Sequence, residues 1–471
     1  MNTKILVIIV AGILVVSGIG IAIFVLNNDD NSRITIDVDL EVFGNADKDS
    51  KVDAADAKLI KDYLDAVDAG DDDKVSEIKK SMSMDFADAN QDGKIDSKDI
   101  DQINGILDRS ASHIWILDGD ANMRKVNANP ERIGCEYYSN TELCMILGLA
   151  DRVVAVDNAP YIYKDFYFTE EQQKNLTNMV NCSTPDYDFL NTLDLDTYLI
   201  FATGTSYPVK QEKIIDCDVL YLGFYNPDLT NTSKSNFIQG ILKAGYIFDA
   251  VDRAEAYVEW ILGWRDKLLD ISNSIPEAEK PTVGMSNYIA GQYFMDEAVK
   301  TLAIYKPADP LGQAVTLGGG HNVYLDLADR FPGTTVYSAS VQVDAVMNDD
   351  ENINVDYFFL HMVKNTYGAN SNAGVPDHGY LCNNTSEIKA ANEDASSRSL
   401  LENELVYMIA GDFRNGCSGG VLLGAYIGSL INPEQYSEID PVAIHNEYIA
   451  WMGVKGYDAG VNGVFLYPGL P

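Results

Sequence analysis

The sequence predicts an α/β protein in which one long helix joins two similar lobes, preceded by a small helical module and an N-terminal membrane helix. Two observations predict the lobes and their connection. An acidic residue twice opens a short apolar helical pattern that runs through a second acid into an apolar strand, at 188–201 and at 344–360. Between these segments, residues 254–272 carry apolar side chains at three- and four-residue steps, as an amphipathic helix does. Two lobes joined by a stiff helix leave a cleft between them, where small ligands commonly bind.

The N-terminal segment predicts a single-pass anchor. Residues 5–26 are uncharged and mostly apolar, with Lys4 before them and two aspartates shortly after. About 22 residues of helix span about 33 Å, which matches the hydrocarbon core of a bilayer. The positive-inside rule then places the rest of the chain outside the cell. The alternative is a cleaved signal peptide, whose apolar core would be shorter.

Two twelve-residue loops predict two Ca²⁺ sites. Side-chain oxygens fall at loop positions 1, 3, 5, 9 and 12, and the backbone carbonyl of position 7 completes a hard-cation site. The first loop supplies Asn45, Asp47, Asp49, Lys51, Asp53 and Asp56, and the second supplies Asp88, Asn90, Asp92, Lys94, Asp96 and Asp99. Position 6, which favours glycine, is Gly93 in the second loop and Ser50 in the first, so the first is expected to bind more weakly. The alternative is a solvated acidic stretch.

Each loop leads into a helix with an apolar period, and each loop ends in Asp. This duplicated loop–helix unit, over about residues 40–108, resembles a type I dockerin, which is a small all-α, EF-hand-like calcium domain. The resemblance implies a cohesin domain as partner. A calcium-stiffened stalk is the alternative.

The first lobe begins with a βαβ pattern. A strand near residue 133 precedes a helix that carries Leu143 and Ile146 and stops at Gly148, and a second strand follows at Val153–Val156. The loop at 158–163 follows the carboxyl end of that strand, where ligands collect in open α/β sheets. Each lobe is therefore expected to be Rossmann-like.

These segments, with 185–201, the helix at 254–272, 280–283, 318–323 and 431–441, closely resemble the substrate-binding proteins of iron-chelate and cobalamin ABC importers. The resemblance covers most of residues 111–460. It implies an extracellular solute-binding protein that captures a metal chelate, such as a ferric siderophore, haem or corrinoid, with an ABC permease and ATPase as partners. It also implies that Asp188 and Asp344 dock on the permease, where the family usually has glutamate. Acids that stabilise a helix N-terminus are the alternative.

Candidate pocket residues follow predicted strands. They are Tyr161, Tyr163, Thr205 and Tyr207 in the first lobe, and Asn287, Tyr288, Tyr293, His321 and Asn322 in the second. Tyrosine offers a stacking face or a phenolic oxygen for ferric iron, and ordinary packing is its alternative. His321 could be an axial metal ligand, with a structural hydrogen bond as the alternative. Arg414 could pair with a ligand carboxylate, or be solvated.

Composition narrows the function further. A net charge of −37 argues against nucleic-acid binding, which needs a basic surface. The six cysteines suit an exported protein, and we expect the pairs Cys182–Cys217 and Cys382–Cys417, with free buried thiols as the alternative.

No catalytic motif is present. The three glycines before His321 lack the lysine and hydroxyl residue of a phosphate loop, and no Gly-x-Ser-x-Gly elbow occurs. An enzyme on a related metal-cluster fold would need cysteine sets that this chain lacks. The competing function is cell-surface attachment through dockerin–cohesin binding, with a receptor-like domain that does not transport.

The predicted boundaries are 5–26 for the membrane anchor, 27–39 for a linker, 40–108 for the calcium module, 109–252 for the first lobe, 253–276 for the connecting helix and 277–471 for the second lobe.

Overall fold

The structure is a computed structural model that describes residues 34–179, 182–202, 206–224, 227–287, 301–333, 335–342, 346, 355–361, 379–381, 385–398 and 405–470. Residues 34–471 form one compact unit. None of the helices within the described ranges is both long enough and apolar enough to cross a membrane. The predicted anchor at 5–26 lies outside those ranges.

The helical module contains α1 (Ala54–Asp68), α2 (Asp72–Ile78), α3 (Met84–Ala87) and α4 (Ser97–Leu107). Asp53 caps α1 and Asp96 caps α4, and in each case the acid three residues later completes a capping box. Positions 9 and 12 of each predicted calcium loop therefore also begin the helix that follows the loop. The buried side chains of Ile60 and Ile103 lie on α1 and α4, which pack together.

A hairpin follows the module, formed by β1 (His113–Leu117) and β2 (Met123–Asn127). The segment 39–44, which precedes the first predicted calcium loop, joins the hairpin, because Val42 bridges Ile116 in antiparallel fashion. Around this bridge, Phe43 N donates to Trp115 O and Leu117 N donates to Glu41 O. The chain on either side of the module therefore meets in one small sheet.

The first lobe is a parallel sheet covered by helices. Its described strands are β3 (Ile133–Cys135), β4 (Val153–Val156), β5 (Thr177–Asn178), β6 (Thr197–Ile200) and β7 (Asp218–Tyr221), in the order β5-β4-β3-β6-β7. All described pairings are parallel. The helices are α5 (Tyr137–Ile146), α6 (Asn158–Ile162), α7 (Lys164–Tyr167), α8 (Glu170–Gln173), α9 (Tyr187–Leu190), α10 (Ser206–Lys213) and α11 (Asn236–Ile247). In this order β4 and β5 lie on one side of β3, and β6 and β7 lie on the other. The switch point of the sheet therefore lies at the carboxyl end of β3.

One helix, α12 (Val251–Ser274), leads to the second lobe where the sequence predicts a connecting helix. Its buried face includes Tyr257, Ile261 and Leu268, which belong to the predicted apolar face.

The second lobe contains a mixed sheet. Its described strands are β8 (Thr282–Asn287), β9 (Thr301–Tyr305), β10 (His321–Asn322), β11 (Ser338–Gln342), β12 (Tyr357–His361), β13 (Val406–Ile409) and β14 (Leu466–Tyr467). The central strands β8, β12 and β13 are parallel, whereas β9, β11 and β14 pair antiparallel at the edges. The helices are α13 (Pro310–Leu317), α14 (Tyr324–Leu327), α15 (Thr385–Arg398), α16 (Asp412–Asn415), α17 (Val421–Ile431) and α18 (Pro441–Trp451). The two lobes are thus less alike than the sequence predicts, because only the centre of the second sheet follows the parallel pattern.

Candidate functional site

The first-lobe strand ends carry an aromatic pair and a carboxylate. Tyr137 follows β3 by two residues, and its ring stacks on that of Phe201, which follows β6, with centroids 5.0 Å apart. The backbone N–H of Tyr137 donates to Asp157 Oδ2 at 3.0 Å. Tyr137 has φ +65°, a left-handed conformation that costs a non-glycine residue roughly 1–2 kcal/mol. The half-buried Tyr137 and Phe201 therefore lie at the switch point of this sheet, where open α/β sheets bind ligands.

A buried ion pair lies next to these strand ends. Glu136 accepts hydrogen bonds from Lys210 Nζ and from Tyr198 Oη, the latter at 2.7 Å. Burial raises the pKa of Glu136, although the lysine ammonium opposes that rise. The side chains of Glu136 and Lys210 are 0% and 3% exposed. Their contact fixes α10 against the end of β3.

The predicted pocket residues of the first lobe have different surroundings in the structure. Tyr161 is half-buried on α6, with the Lys164 ammonium 4.9 Å from its ring centroid. Tyr163 is buried next to the ring of Tyr138. Tyr207 lies in the core of the lobe, where its hydroxyl donates to Asp118 Oδ2 at 2.8 Å. The placement of Tyr207 in the pocket is therefore corrected, and Thr205 lies outside the described residues.

The second-lobe strand ends form a separate polar cluster. Asn287 ends β8 and His361 ends β12, and the two are paired in register. Asn287 Oδ1 accepts a hydrogen bond from the Tyr305 hydroxyl and lies 3.3 Å from His361 Nδ1. Burial, assisted by the nearby positive charge of Arg414, lowers the pKa of His361 to about 3. The His361 imidazole is therefore neutral at ordinary pH. Tyr288 and Tyr293, the next predicted residues, lie outside the described ranges.

Arg414 is already paired with a protein carboxylate. Its Nε and Nη2 donate to Asp309 Oδ2 at 3.0 Å and 2.8 Å, and its guanidinium lies 5.3 Å from the ring centroid of Tyr305. Burial raises the pKa of Asp309, and the charge of Arg414 opposes that rise. The alternative that Arg414 is solvated is therefore wrong, whereas its contact with a ligand carboxylate stays a prediction.

His321 and Asn322 lie at the wrong end of the sheet for a cleft ligand. They form β10, which pairs with the amino end of β8, whereas Asn287 marks its carboxyl end. The His321 ring contacts Glu277 through Nδ1 and Asp326 through Nε2, each at 3.0 Å. Asn322 is buried, donates to Tyr305 O and accepts from Tyr324 N. The structural alternative is correct for His321, and the assignment of both residues to the pocket is corrected.

A buried contact joins the lobes, and sequence reasoning missed it. Glu142 on α5 accepts hydrogen bonds from the Tyr167 hydroxyl, from the Tyr448 hydroxyl and from the backbone N–H of Cys417. Nearby, the Phe166 ring stacks on Tyr380 at a centroid distance of 3.9 Å. One signal could have indicated this contact: Glu142 is an acid within a helix whose other residues are almost all buried.

Asp188 is exposed in the first turn of α9, but it is not the cap of that helix. Asp186 is the N-cap and accepts from Phe189 N at 3.0 Å. An acid in the first turn fits the alternative of stabilising the helix N-terminus, and the docking role of Asp188 stays a prediction. Asp344 lies outside the described residues.

The expected disulfides are not formed. Cys182, Cys217 and Cys417 are free thiols, as are Cys135 and Cys144, whose sulfur atoms lie 3.6 Å apart. The predicted pairing of Cys182 with Cys217 is wrong, and Cys417 is not paired either. Cys382 lies outside the described residues. Free buried thiols, the alternative from sequence, describe Cys135, Cys144 and Cys417.

In each of the two predicted calcium loops, the acid at position 12 is buried. Asp56 is buried and accepts from the backbone N–H groups of Ala46 and Asp47, at 2.7 Å and 3.1 Å, and burial raises its pKa to about 7. Asp99 accepts from Asn90 N at 3.2 Å. Asn45 Oδ1, at position 1, is buried without a hydrogen-bond partner, which fits its predicted role as a cation ligand. Over the described ranges, however, no group of three or more His, Cys, Asp or Glu side chains is arranged to hold a metal.

Comparisons with known proteins support the fold. No protein-family model matches the sequence, and no curated protein matches it significantly. Among solved structures, the TroA-like periplasmic binding protein FepB from Veillonella parvula is 13% identical, with a TM-score of 0.54 over 76% of this chain and 99% of that one. A periplasmic solute binding protein from the same species is 15% identical, with a TM-score of 0.50 over 73% of this chain and 93% of that one. The petrobactin-binding protein YclQ from Bacillus subtilis is 18% identical over 73% of this chain and 99% of that one, with a TM-score of 0.45. The first two establish a two-lobed α/β fold of the TroA-like type.

Proposed function

We propose that this chain is the solute-binding protein of an ABC importer and that it holds a metal chelate in the cleft between its lobes. The observation that carries the proposal is the Tyr137–Phe201 pair at the first-lobe switch point. The neutral His361 and Asn287 stand at the corresponding strand ends of the second lobe. The TroA-like fold supports the same function. A ferric siderophore, haem or corrinoid would offer the flat or conjugated surface that aromatic rings stack on.

The ligand class can be tested by calorimetry on the full chain with haemin, cyanocobalamin and a ferric catecholate. Phe201→Ala removes one stacking face and should weaken binding of the true ligand about tenfold, the equivalent of about 1.4 kcal/mol. Ile215→Ala is the control, because Ile215 is 62% exposed and precedes β7 at the opposite edge of the sheet. If none of the three compounds binds, or if the two variants bind alike, the cleft is not the chelate site.

The importer partners belong to the same proposal. Asp188 and Asp344 would contact the permease, and the exposure of Asp188 supports this. Charges at such an interface steer the encounter and fix orientation. Asp188→Asn with Asp344→Asn should therefore lower uptake in cells without changing ligand affinity. Glu212→Gln, at another exposed acid on α10, is the matched control. Normal uptake in the double variant would remove the docking role.

Calcium binding, membrane anchoring through residues 5–26 and an extracellular location complete the proposal. The unpartnered Asn45 Oδ1 and the buried position-12 acids Asp56 and Asp99 support two Ca²⁺ ions in the module. Calorimetric titration of the full chain with Ca²⁺ tests this directly. Attachment through a cohesin domain remains the competing function, and a cohesin pull-down in the presence of Ca²⁺ distinguishes it from transport.

A further inference from the structure

We propose that the first calcium loop is the internal anchor of the first lobe, so that Ca²⁺ in this loop orders α11. The proposal rests on the calcium binding proposed above, and it gives the module a role inside the receptor rather than as a separate stalk. It is carried by hydrogen bonds from one face of α11 to the chain within and before the first loop.

Three residues of α11 form that face, at spacings i, i+4 and i+7: Gln239, Lys243 and Tyr246. Gln239 binds the backbone of the segment 39–44 before the first loop, because its Nε2 donates to Asp39 O at 2.6 Å and its Oε1 accepts from Glu41 N at 3.1 Å. The Gln239 side chain therefore makes the two backbone hydrogen bonds that a neighbouring strand would otherwise make with this segment.

Lys243 is completely buried at this contact. Its ammonium donates to Glu41 Oε2 at 2.9 Å and to Leu117 O at 2.7 Å. A buried charge is costly once its partner leaves. The lobe therefore loses stability if the segment around Glu41 moves away.

The first loop holds that segment in place. Leu40 N donates to Asp49 O at 2.9 Å, and Asn45 Nδ2 donates to both Leu40 O and Asp49 O. The Tyr246 hydroxyl accepts from Val52 N at 2.7 Å, and Val52 lies between loop positions 7 and 9. The conformation that would wrap a cation is thus the one that Tyr246 and the segment 39–44 contact. Without a cation, the clustered carboxylates of the loop repel one another and oppose this conformation.

The second loop lacks such links. Within the described residues, none of the hydrogen bonds made by 88–99 reaches the first lobe. An open pocket of about 700 Å³ is lined by Asp88 and Lys94 of this loop and by Leu117 and Met123 of the β1–β2 hairpin. The second loop is therefore an internal control for the first.

The test is hydrogen exchange of the full chain, read over residues 236–247, with Ca²⁺ binding measured calorimetrically on the same samples. Free Ca²⁺ at about ten times the dissociation constant should slow opening of α11 by about tenfold. Asn45→Ala should abolish the effect, and Asp88→Ala should preserve it. Tyr246→Phe should bind Ca²⁺ normally and lose most of the protection of α11. Because this variant retains the packing of the ring, it separates the effect of Ca²⁺ on α11 from the binding of Ca²⁺.

The outcomes are distinguishable. If Ca²⁺ binds but exchange over 236–247 does not change, the anchor is wrong while the calcium sites stand. If Asp88→Ala removes the protection as fully as Asn45→Ala does, the first loop has no special role. If no Ca²⁺ binds at all, the calcium sites and the anchor both fail.

Discussion

At the scale of single residues, the interior of this protein contains charges that hold the strand ends in place. Glu136 with Lys210 and Asp309 with Arg414 are nearly inaccessible pairs, one in each lobe. Such a pair adds little net stability, but removing one partner leaves a charge that neither water nor protein compensates. We therefore interpret the two ion pairs as contacts that position the loops around the cleft.

Arg414→Met tests this view, because methionine keeps most of the side-chain volume and removes the charge. Asp309 then remains buried without its partner, and we expect the free energy of unfolding to fall by about 3–5 kcal/mol. Urea denaturation provides the measurement. Lys455→Met, at an exposed lysine, should change it by less than about 0.5 kcal/mol. A loss of less than about 1 kcal/mol for Arg414→Met would contradict the view.

His321 predicts a pH dependence. Burial alone would lower the pKa of His321, but the hydrogen bonds to Glu277 and Asp326 outweigh burial and raise the pKa above 6.5. Because the folded-state pKa exceeds the unfolded one, this stabilisation is complete below about pH 6.5 and is lost as the pH rises through the folded-state value.

We therefore expect the difference in unfolding free energy between the wild type and His321→Gln to shrink as the pH rises above about 6.5. Thermal unfolding in a pH series measures it. A difference that is independent of pH would mean that the His321 contacts do not depend on its charge.

At the scale of elements, the space around a helical glycine decides whether replacing it by alanine stabilises the protein. In α11, a Cβ on Gly240 would lie 2.0 Å from Leu222 O, whereas in α4 a Cβ on Gly105 would meet Ala111 at an ordinary 3.4 Å. Propensity alone favours alanine over glycine by about 1 kcal/mol at both sites. The two helices should therefore respond in opposite directions to the same substitution.

Gly105→Ala should raise the unfolding free energy by up to about 1 kcal/mol, and Gly240→Ala should lower it by about 1–3 kcal/mol despite the better propensity. Denaturant titrations of the two variants in saturating Ca²⁺ measure both. Equal effects would show that α11 can move away from Leu222 at little cost.

At the scale of the whole molecule, the connecting helix and the inter-lobe contact limit relative motion. α12 is a continuous helix of 24 residues, and Tyr257 on it donates to Cys417 O at 2.6 Å. Glu142 ties the lobes together at the same place. A continuous helix resists hinge bending, so large closure is not expected.

Small-angle scattering with and without the bound chelate should therefore give radii of gyration that differ by less than about 1 Å. A Glu142→Gln variant keeps the shape of the side chain and weakens the tie, so it should show the larger change of the two proteins. A large compaction of the wild type on binding would argue for a hinged receptor class instead.

The sequence by itself determined the local features. The two predicted calcium loops lead into the helices α1 and α4, the apolar period of α12 marks the connecting helix, and the βαβ pattern near Gly148 forms the start of a parallel sheet. These follow from spacing along the chain. Only the tertiary structure decided which residues meet: His321 falls at the amino end of β8, Tyr207 in the core, Arg414 on Asp309, and Glu142 between the lobes. The register of non-neighbouring strands and the packing of distant helices set these contacts, and neither is written in local spacing.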